Sequence, residues 1–218
     1  MINVLKIQRY LVIFGLITII YNLICIFNQK LSIKNGTTII FEGLLGILCL
    51  FLPNLLMKLL KISFPSTLKS IYFLFIFISV FLGTCLHFIS KIPHYDKLLH
   101  VTSPILFTLI GYGLLASFLP KNKQPLSPWL FLIFGMAFAE MCGVFWEFWE
   151  FGCDQLLGMN LQRFALSKGI PLIGRQALID TMGDLFANTL GAMLTLLYAF
   201  FKSKNNPKFF FHFKISIK

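Results

Sequence analysis

The sequence predicts an all-α, polytopic transmembrane helical bundle of about six spans. The mean hydropathy is +0.82, and only 12% of the 218 residues are charged. Several apolar runs approach or exceed the roughly 20 residues that a helix needs to cross the hydrocarbon core of a bilayer. Because the connectors between these runs are short, we expect one integral membrane domain over residues 1–218.

The individual spans are defined by apolar runs and by the turn-forming residues between them. Glycine and proline favour turns, so breaks are predicted at Asn35-Gly36, Phe64-Pro65, Pro120 and Pro125. The predicted spans lie near residues 7–27, 39–60, 68–89, 98–119, 129–152 and 177–201.

Other features limit the class of protein. The first apolar run follows Lys6 and Arg9, but it is too long for a signal peptide and lacks a small-residue cleavage site, so we expect a retained span. The five cysteines show no C-x2-C spacing, which argues against a zinc knuckle. The net charge is +11. Its cations flank the spans, as expected for an anionic membrane surface and not for nucleic acid.

The distribution of cations predicts the orientation in a plasma membrane. Of the 19 lysines and arginines, twelve lie at the N-terminus, in the loops near 58–69 and 121–128, and in the tail. The positive-inside rule therefore predicts that both termini are cytoplasmic. Residues 202–218 form a basic-aromatic tail, and its aromatic side chains predict contact with the inner leaflet: Phe209, Phe210, Phe211 and Phe213.

Carboxylates are the most informative residues of this chain. All eight lie within or at the edge of apolar segments: Glu42, Asp96, Glu140, Glu147, Glu150, Asp154, Asp180 and Asp184. Ionisable groups in a bilayer are costly, so they indicate a functional site. The predicted topology gathers seven of the eight at the outer ends of the spans. Glu140 precedes Asp154 by enough residues to lie roughly 21 Å deeper along the helix axis.

Helical spacing predicts that these acids face the interior of the bundle. On the fifth span, the four acids fall within an arc of roughly 80°. The sixth span carries one polar and small-residue stripe: Asp180, Asp184, Asn188, Gly191 and Thr195. Lipid cannot solvate such faces, so they should pack against other helices.

Carboxylates gathered in a small volume repel one another unless a cation or a basic side chain neutralises them. Oxygen ligands with a histidine suit one divalent ion, such as Mg²⁺, Mn²⁺, Ca²⁺ or Zn²⁺. We assign the metal ligands to Asp96, His100, Glu147 and Asp184. The spacings D-x3-H and D-x3-D each put two candidate ligands on one helix face.

The remaining polar residues suggest an enzyme that acts on a lipid-linked or cell-envelope substrate. Glu150 or Asp180 would serve as a general base beside the metal. The long connector between spans five and six carries Arg163 and Arg175, which would bind an anionic group, and Asn188 completes the predicted substrate-binding set. The sequence contains no nucleophile elbow, P-loop or H-E-x2-H.

Purely structural roles for the acids are the alternative to the metal-site interpretation. Asp96 and Asp180 stand where a helix N-terminus favours an anion. Glu147, Glu150 and Asp154 stand near a helix C-terminus, where the helix dipole disfavours acids, so salt bridges to Arg163, Arg175 or Lys97 would be needed to explain them.

Two other functions stay open. In a small-solute or proton- or cation-coupled transporter, Glu140 and Asn188 would extend the outer acids into a path through the membrane. In a structural or partner-binding membrane protein, the acids would form stabilising salt bridges only.

Three blocks of sequence lie within roughly residues 93–195: Asp96-Lys97-Leu98-Leu99-His100; Glu147-Phe148-Trp149-Glu150-Phe151 with Asp154-Gln155-Leu156-Leu157-Gly158-Met159-Asn160-Leu161-Gln162; and Asp180-Thr181-Met182-Gly183-Asp184 with Asn188-Thr189-Leu190-Gly191. In this order they resemble the YjdF-like bacterial inner-membrane proteins. The first and last blocks are also similar to VanZ-like proteins. Both resemblances imply a small polytopic membrane protein in which these blocks carry the function, and neither implies a particular reaction.

Overall fold

The structure, a computed structural model, describes residues 4–119, 127–166, 169–206 and 208–217. The predicted breaks at Pro120 and Pro125 lie outside the described residues, as do the cations of the predicted loop, Lys121 and Lys123.

Helices form nearly all of the regular structure. They are α1 (Val4–Phe27), α2 (Ile33–Cys49), α3 (Leu52–Leu59), α4 (Ser66–Ile76), α5 (Phe88–Lys91), α6 (Tyr95–Phe118), α7 (Pro128–Leu157) and α8 (Ile179–Asn205). A π-helix, Phe77–Cys85, continues α4, and 3-10 helices span Gly174–Leu178 and Phe209–Phe213. Two short strands, β1 (Ile62–Ser63) and β2 (Ser216–Ile217), pair antiparallel.

These helices confirm the predicted fold class and the multi-pass membrane localisation. Among the described residues, five helical segments are long and apolar enough to cross a membrane: Val4–Phe27, Ser66–Cys85, Tyr95–Phe118, Pro128–Leu157 and Gly174–Asn205. The pair α2 and α3, bent by 45°, forms a sixth when it is counted as one span. The predicted span near 39–60 is therefore broken, and Pro53 opens its second half.

The predicted break at Asn35-Gly36 is wrong, because α2 runs through it. Ser32 caps the helix, and its hydroxyl oxygen accepts a hydrogen bond from the Asn35 backbone amide at 3.3 Å. Gly36 is buried there against Ile26. The Ser32 cap satisfies a backbone donor of the first turn, so the helix begins at this point and not after Gly36.

The predicted tail is partly helical and partly buried. Lys202 and Lys204 belong to the last turn of α8. Phe210 is 2% exposed and stacks on Phe131 with ring centroids 4.6 Å apart. Phe213 is also buried. Contact with protein, not with the inner leaflet, therefore accounts for two of the four tail phenylalanines.

The chain divides into two compact units, and the boundary falls inside α6. The first unit contains residues 1–99, 116–119 and 211–218. Its core holds Leu50, Phe73 and Phe81. Buried Asn22 donates hydrogen bonds to the carbonyl oxygens of Thr18 and Cys85, both at 2.8 Å.

The second unit contains residues 100–115 and 120–210, and it holds most of the candidate site. Small residues allow its helices to approach closely. Gly191 on α8 packs against the Val101 carbonyl of α6, where a Cβ would overlap the oxygen. Gly111 on α6 similarly faces Gly135 on α7. Through these contacts, α6 packs closely against both α7 and α8 inside the unit.

Candidate functional site

The acids of α7 point inward, as their spacing predicts. Glu147, Glu150 and Asp154 are each at most 8% exposed. The neighbouring aromatic residues Phe148, Trp149 and Phe151 are exposed. The carboxylates of α7 are thus buried, although the helix exposes large aromatic side chains elsewhere.

The polar stripe of α8 is also buried. Its five members, Asp180, Asp184, Asn188, Gly191 and Thr195, are all buried within the structure. The predicted inward faces of both helices are therefore confirmed, since each needs protein partners in place of lipid.

His100 and Asp184 form the centre of the site. The His100 Nε2 lies 3.5 Å from the Asp184 Oδ1, and the two side chains are 9% and 1% exposed. Asp96 lies one turn before His100 on the same continuous helix, α6. One ligand atom from each of these three residues lies within 4.8 Å of the other two.

The donor set suits a divalent cation. Ligand atoms bound at about 2.0–2.2 Å to a tetrahedral ion lie roughly 3.4 Å apart, close to the observed His100–Asp184 separation. A histidine nitrogen with carboxylate oxygens is a set that Zn²⁺ or Mn²⁺ accepts. The same contact is an ion pair when His100 is protonated.

Glu147, the fourth predicted ligand, has a different neighbour. It is not one of the three residues that form the metal-type group among the described residues. Its Oε2 accepts a hydrogen bond from the Gln162 Nε2 at 3.5 Å. The same Gln162 nitrogen donates to the Thr181 hydroxyl at 2.9 Å. Gln162 therefore links α7 to α8 beside the group.

Asp154 binds the backbone of the following loop. Its two carboxylate oxygens accept hydrogen bonds from the amides of Leu161 and Gln162, at 2.7 and 3.0 Å. The sequence disfavours a capping role for Asp154 and suggests a salt bridge in its place, and it gives no direct indication of a bond to the loop backbone. Gly158, which ends α7 in a left-handed conformation, was the available signal that the chain turns back toward it.

Among the connector's cations that the structure describes, Arg163 contacts an acid and Arg175 does not. Its Nη1 lies 3.5 Å from the Asp180 Oδ1, and its side chain is 45% exposed. Arg175 lies exposed in the 3-10 helix Gly174–Leu178, with no acid within 4.0 Å among the described residues. The predicted cation Lys168 lies outside the described residues. The two predicted anion-binding arginines thus differ in their surroundings.

Glu150 is joined to an aromatic residue of its own helix. The Trp146 Nε1 donates a hydrogen bond to the Glu150 Oε1 at 2.8 Å. Trp146 is itself exposed, as an interfacial tryptophan is expected to be, and it carries its polar edge to the buried acid.

Glu140 belongs to a separate polar group. Its Oε2 accepts hydrogen bonds from the Asn188 Nδ2 at 3.1 Å and from the Thr189 hydroxyl at 3.2 Å. Its buried Oε1 has no hydrogen-bond partner among the described residues. Glu140 therefore has partners distinct from those of Glu147, Glu150 and Asp154.

The remaining acid and two histidines lie outside the metal-type group. Glu42 is half-buried in α2, within the first unit. His87 and His94 precede α5 and α6 with left-handed backbones, at φ 64° and 61°. Burial lowers the pKa of His87, and the positive charge of Lys91 lowers it further.

Comparison with known proteins gives the family. The sequence model of the predicted membrane protein family DUF2238 matches residues 9–205. The chain belongs to the DUF2238 family. The match covers every residue of the candidate site in this DUF2238 protein. It does not test the YjdF-like name, and the similarity to VanZ-like proteins gains no support from it. No curated protein and no solved structure matches the chain significantly.

Proposed function

We propose that this DUF2238 protein binds one divalent cation through Asp96, His100 and Asp184, and acts on a lipid-linked or cell-envelope substrate. The observation that carries the proposal is the group itself: three ligand atoms of metal-binding type within 4.8 Å of one another. Two of the residues, His100 and Asp184, are buried. An acid buried in a membrane protein requires a compensating charge, and a cation supplies it.

The other polar residues would serve the substrate. A bound divalent ion would polarise an ester or phosphoryl oxygen or activate a water molecule. Glu150 or Asp180 would take up the proton, and Arg163 and Arg175 would hold an anionic group of the substrate. Arg163 is the better placed of the two, because it lies at the N-terminal end of α8 beside Asp180.

The competing explanation is a purely structural His100–Asp184 ion pair. Metal analysis of the detergent-purified protein distinguishes the two. The wild type should retain about one divalent ion per chain, whereas Asp184→Asn and His100→Gln should lose it. Asp184→Asn is informative because it keeps a hydrogen-bond acceptor for His100 and removes only the charge.

Glu42→Gln is the matched control, since Glu42 is a half-buried acid of the first unit and not a member of the group. It should retain the ion at the wild-type level. Absence of any ion from the wild type after purification without chelator, together with an unchanged melting temperature on addition of Mn²⁺ or Zn²⁺, would overturn the proposal.

A second candidate function is proton- or cation-coupled transport. Its support is Glu140, an acid well inside α7 that is hydrogen-bonded to Asn188 and Thr189 of α8. Glu140→Gln should abolish coupled flux in proteoliposomes if this second function holds, and should leave activity intact if the protein is an enzyme of its outer face.

The predicted orientation, with both termini cytoplasmic, and the single integral membrane domain over residues 1–218 are part of the same proposal. A cysteine introduced at Ile173, which is 85% exposed, would test the orientation in a background that lacks the native cysteines. A membrane-impermeant maleimide should label it from outside intact cells.

A further inference from the structure

Asp154 is a buried acid that neither the metal-type group nor an arginine accounts for. It lies in the last turn of α7 and is 5% exposed. Both of its carboxylate oxygens accept backbone hydrogen bonds, from Leu161 at 2.7 Å and from Gln162 at 3.0 Å. Two hydrogen bonds from adjacent backbone amides to one side chain attach the chain that follows to the end of α7.

The segment attached in this way, residues 158–165, is here called the return loop. Gly158 starts it with φ 62°. Asn160 then closes it, because its side chain donates to the Ala165 carbonyl at 2.7 Å and accepts from the Ala165 amide at 3.0 Å. The return loop is therefore held by Asp154 at its middle and by the Asn160 side chain at its end.

Backbone strain lies at one residue of this loop. Arg163 has φ 47°, in the left-handed region that residues other than glycine and asparagine rarely adopt. Such a conformation persists only where its surroundings enforce it. Here the enforcing contacts are the Asp154 hydrogen bond to the adjacent Gln162 and the ion pair of Arg163 with Asp180.

The return loop carries two side chains onto α8. Gln162 contacts Thr181 and Glu147, and Arg163 contacts Asp180. Thr181 and Asp180 precede Asp184 by three and four residues, so they share its helix face. The first turn of α8, which leads to Asp184, is thus held from the loop side.

We propose that Asp154 is a positioning residue for the cation site: it fastens the return loop so that Gln162 and Arg163 hold the first turn of α8 and, with it, Asp184. This inference deepens the proposed function and rests on it. Asp154 does not bind the ion in this scheme, and Gln162 is the residue through which it acts.

The test uses the full-length protein in detergent, with two measurements on each variant. The first is the rate of tryptic cleavage after Arg163, determined by mass spectrometry relative to cleavage after the exposed Arg175. The second is the affinity for Mn²⁺ or Zn²⁺.

Asp154→Asn replaces one acceptor by a donor that faces a backbone amide. It should speed cleavage after Arg163 by about tenfold or more and weaken metal binding by about tenfold. Gln155→Ala, at the adjacent exposed position, is the matched control and should change neither.

Gln162→Ala keeps the backbone amide that Asp154 binds, so it should fold and resist trypsin as the wild type does. It should nevertheless weaken metal binding. If Asp154 acts through Gln162, the double variant should bind metal within about twofold of Asp154→Asn alone, because the two changes then remove one shared interaction. A residue needed only for stability would instead give additive losses.

Each other outcome contradicts a defined part of the inference. Unchanged cleavage after Arg163 in Asp154→Asn overturns the fastening of the loop. Faster cleavage with unchanged metal affinity overturns the positioning role. If the wild type itself binds no metal, the proposed function fails and the positioning role with it, whereas the cleavage rates still decide whether Asp154 fastens the loop.

Discussion

Gly143 on α7 lies directly against the side-chain amide of Asn188 on α8: a Cβ at position 143 would be 2.6 Å from the Asn188 Cγ. Asn188 in turn donates a hydrogen bond to Glu140, one turn before Gly143 on α7. The absence of a side chain at one position therefore allows a polar bond between the two helices of the site.

We expect Gly143→Ala to destabilise the protein. The added methyl group must displace the buried Asn188 side chain, and overpacking of this kind costs about 1–3 kcal/mol. The gain in helix propensity on replacing glycine by alanine, up to about 1 kcal/mol, offsets only part of that cost. The melting temperature in detergent is the measurement.

Gly152→Ala is the matched control on the same helix. A Cβ at position 152 would meet nothing within 4 Å, so the variant should be as stable as the wild type or gain up to about 1 kcal/mol. Equal melting temperatures for the two alanine variants would contradict the close packing of Gly143 on Asn188.

Glu140 should tolerate an amide better than an apolar side chain. Both of its partners, Asn188 and Thr189, are donors to one oxygen, and the Glu140→Gln side chain still offers an oxygen to them. Glu140→Leu removes that acceptor from the buried Asn188 amide, at a cost of about 1–3 kcal/mol, whereas the Thr189 hydroxyl still donates to the Leu185 carbonyl at 2.9 Å. A Glu140→Gln variant as unstable as Glu140→Leu, by thermal unfolding in detergent, would show that the charge itself is needed.

The direction in which the acids point could be predicted from sequence, but their partners could not. The helical spacing of 100° per residue predicts that Glu147, Glu150 and Asp154 share one inward face of α7, and all three are buried. Asp154, however, binds the amides of Leu161 and Gln162. That contact depends on the path of a loop, and loops lack a repeating pattern from which a path can be read.

The first unit contains two features that local sequence rules miss. The π-helix Phe77–Cys85 lies in a continuous apolar run. The composition of such a run does not distinguish α-helical from π-helical turns. The start of α2 was predicted too late, because Asn-Gly favours a turn in isolation. At this site the Ser32 cap and the burial of Gly36 outweigh that local preference.

Arg163 should contribute little to stability, although it contacts a buried acid. Its side chain is 45% exposed, and ion pairs open to solvent are worth about 0–1 kcal/mol. Arg163→Gln should therefore lower the free energy of unfolding by at most about 1 kcal/mol, and less at high salt. Arg175→Gln, a change at an exposed arginine without an acid within 4.0 Å among the described residues, serves as the control. A loss of several kcal/mol in Arg163→Gln would contradict the small contribution to stability expected of this solvent-open ion pair.

His87 should make the protein less stable in mild acid. It lies between the spans that end at Cys85 and begin at Tyr95. Its pKa in the folded protein is below the ordinary value of 6.5, because of burial and then of Lys91. Between the two pKa values the unfolded chain binds more protons than the folded one. The stability contributed by neutral His87 is thus fully present above about pH 6.5 and is lost as the pH falls through the folded-state pKa.

The charged or titratable groups beside the His87 ring include Lys91 of α5 and Tyr21 of α1, whose ring centroid is 6.3 Å away. His87→Asn removes the titration, and asparagine tolerates the left-handed backbone at this position. The informative quantity is the difference between the two proteins, because it isolates the contribution of His87. The wild type should lose more melting temperature than His87→Asn between pH 7.5 and pH 5.5. Parallel curves would mean that His87 is equally protonated in the folded and unfolded states, and that its burial has no energetic consequence.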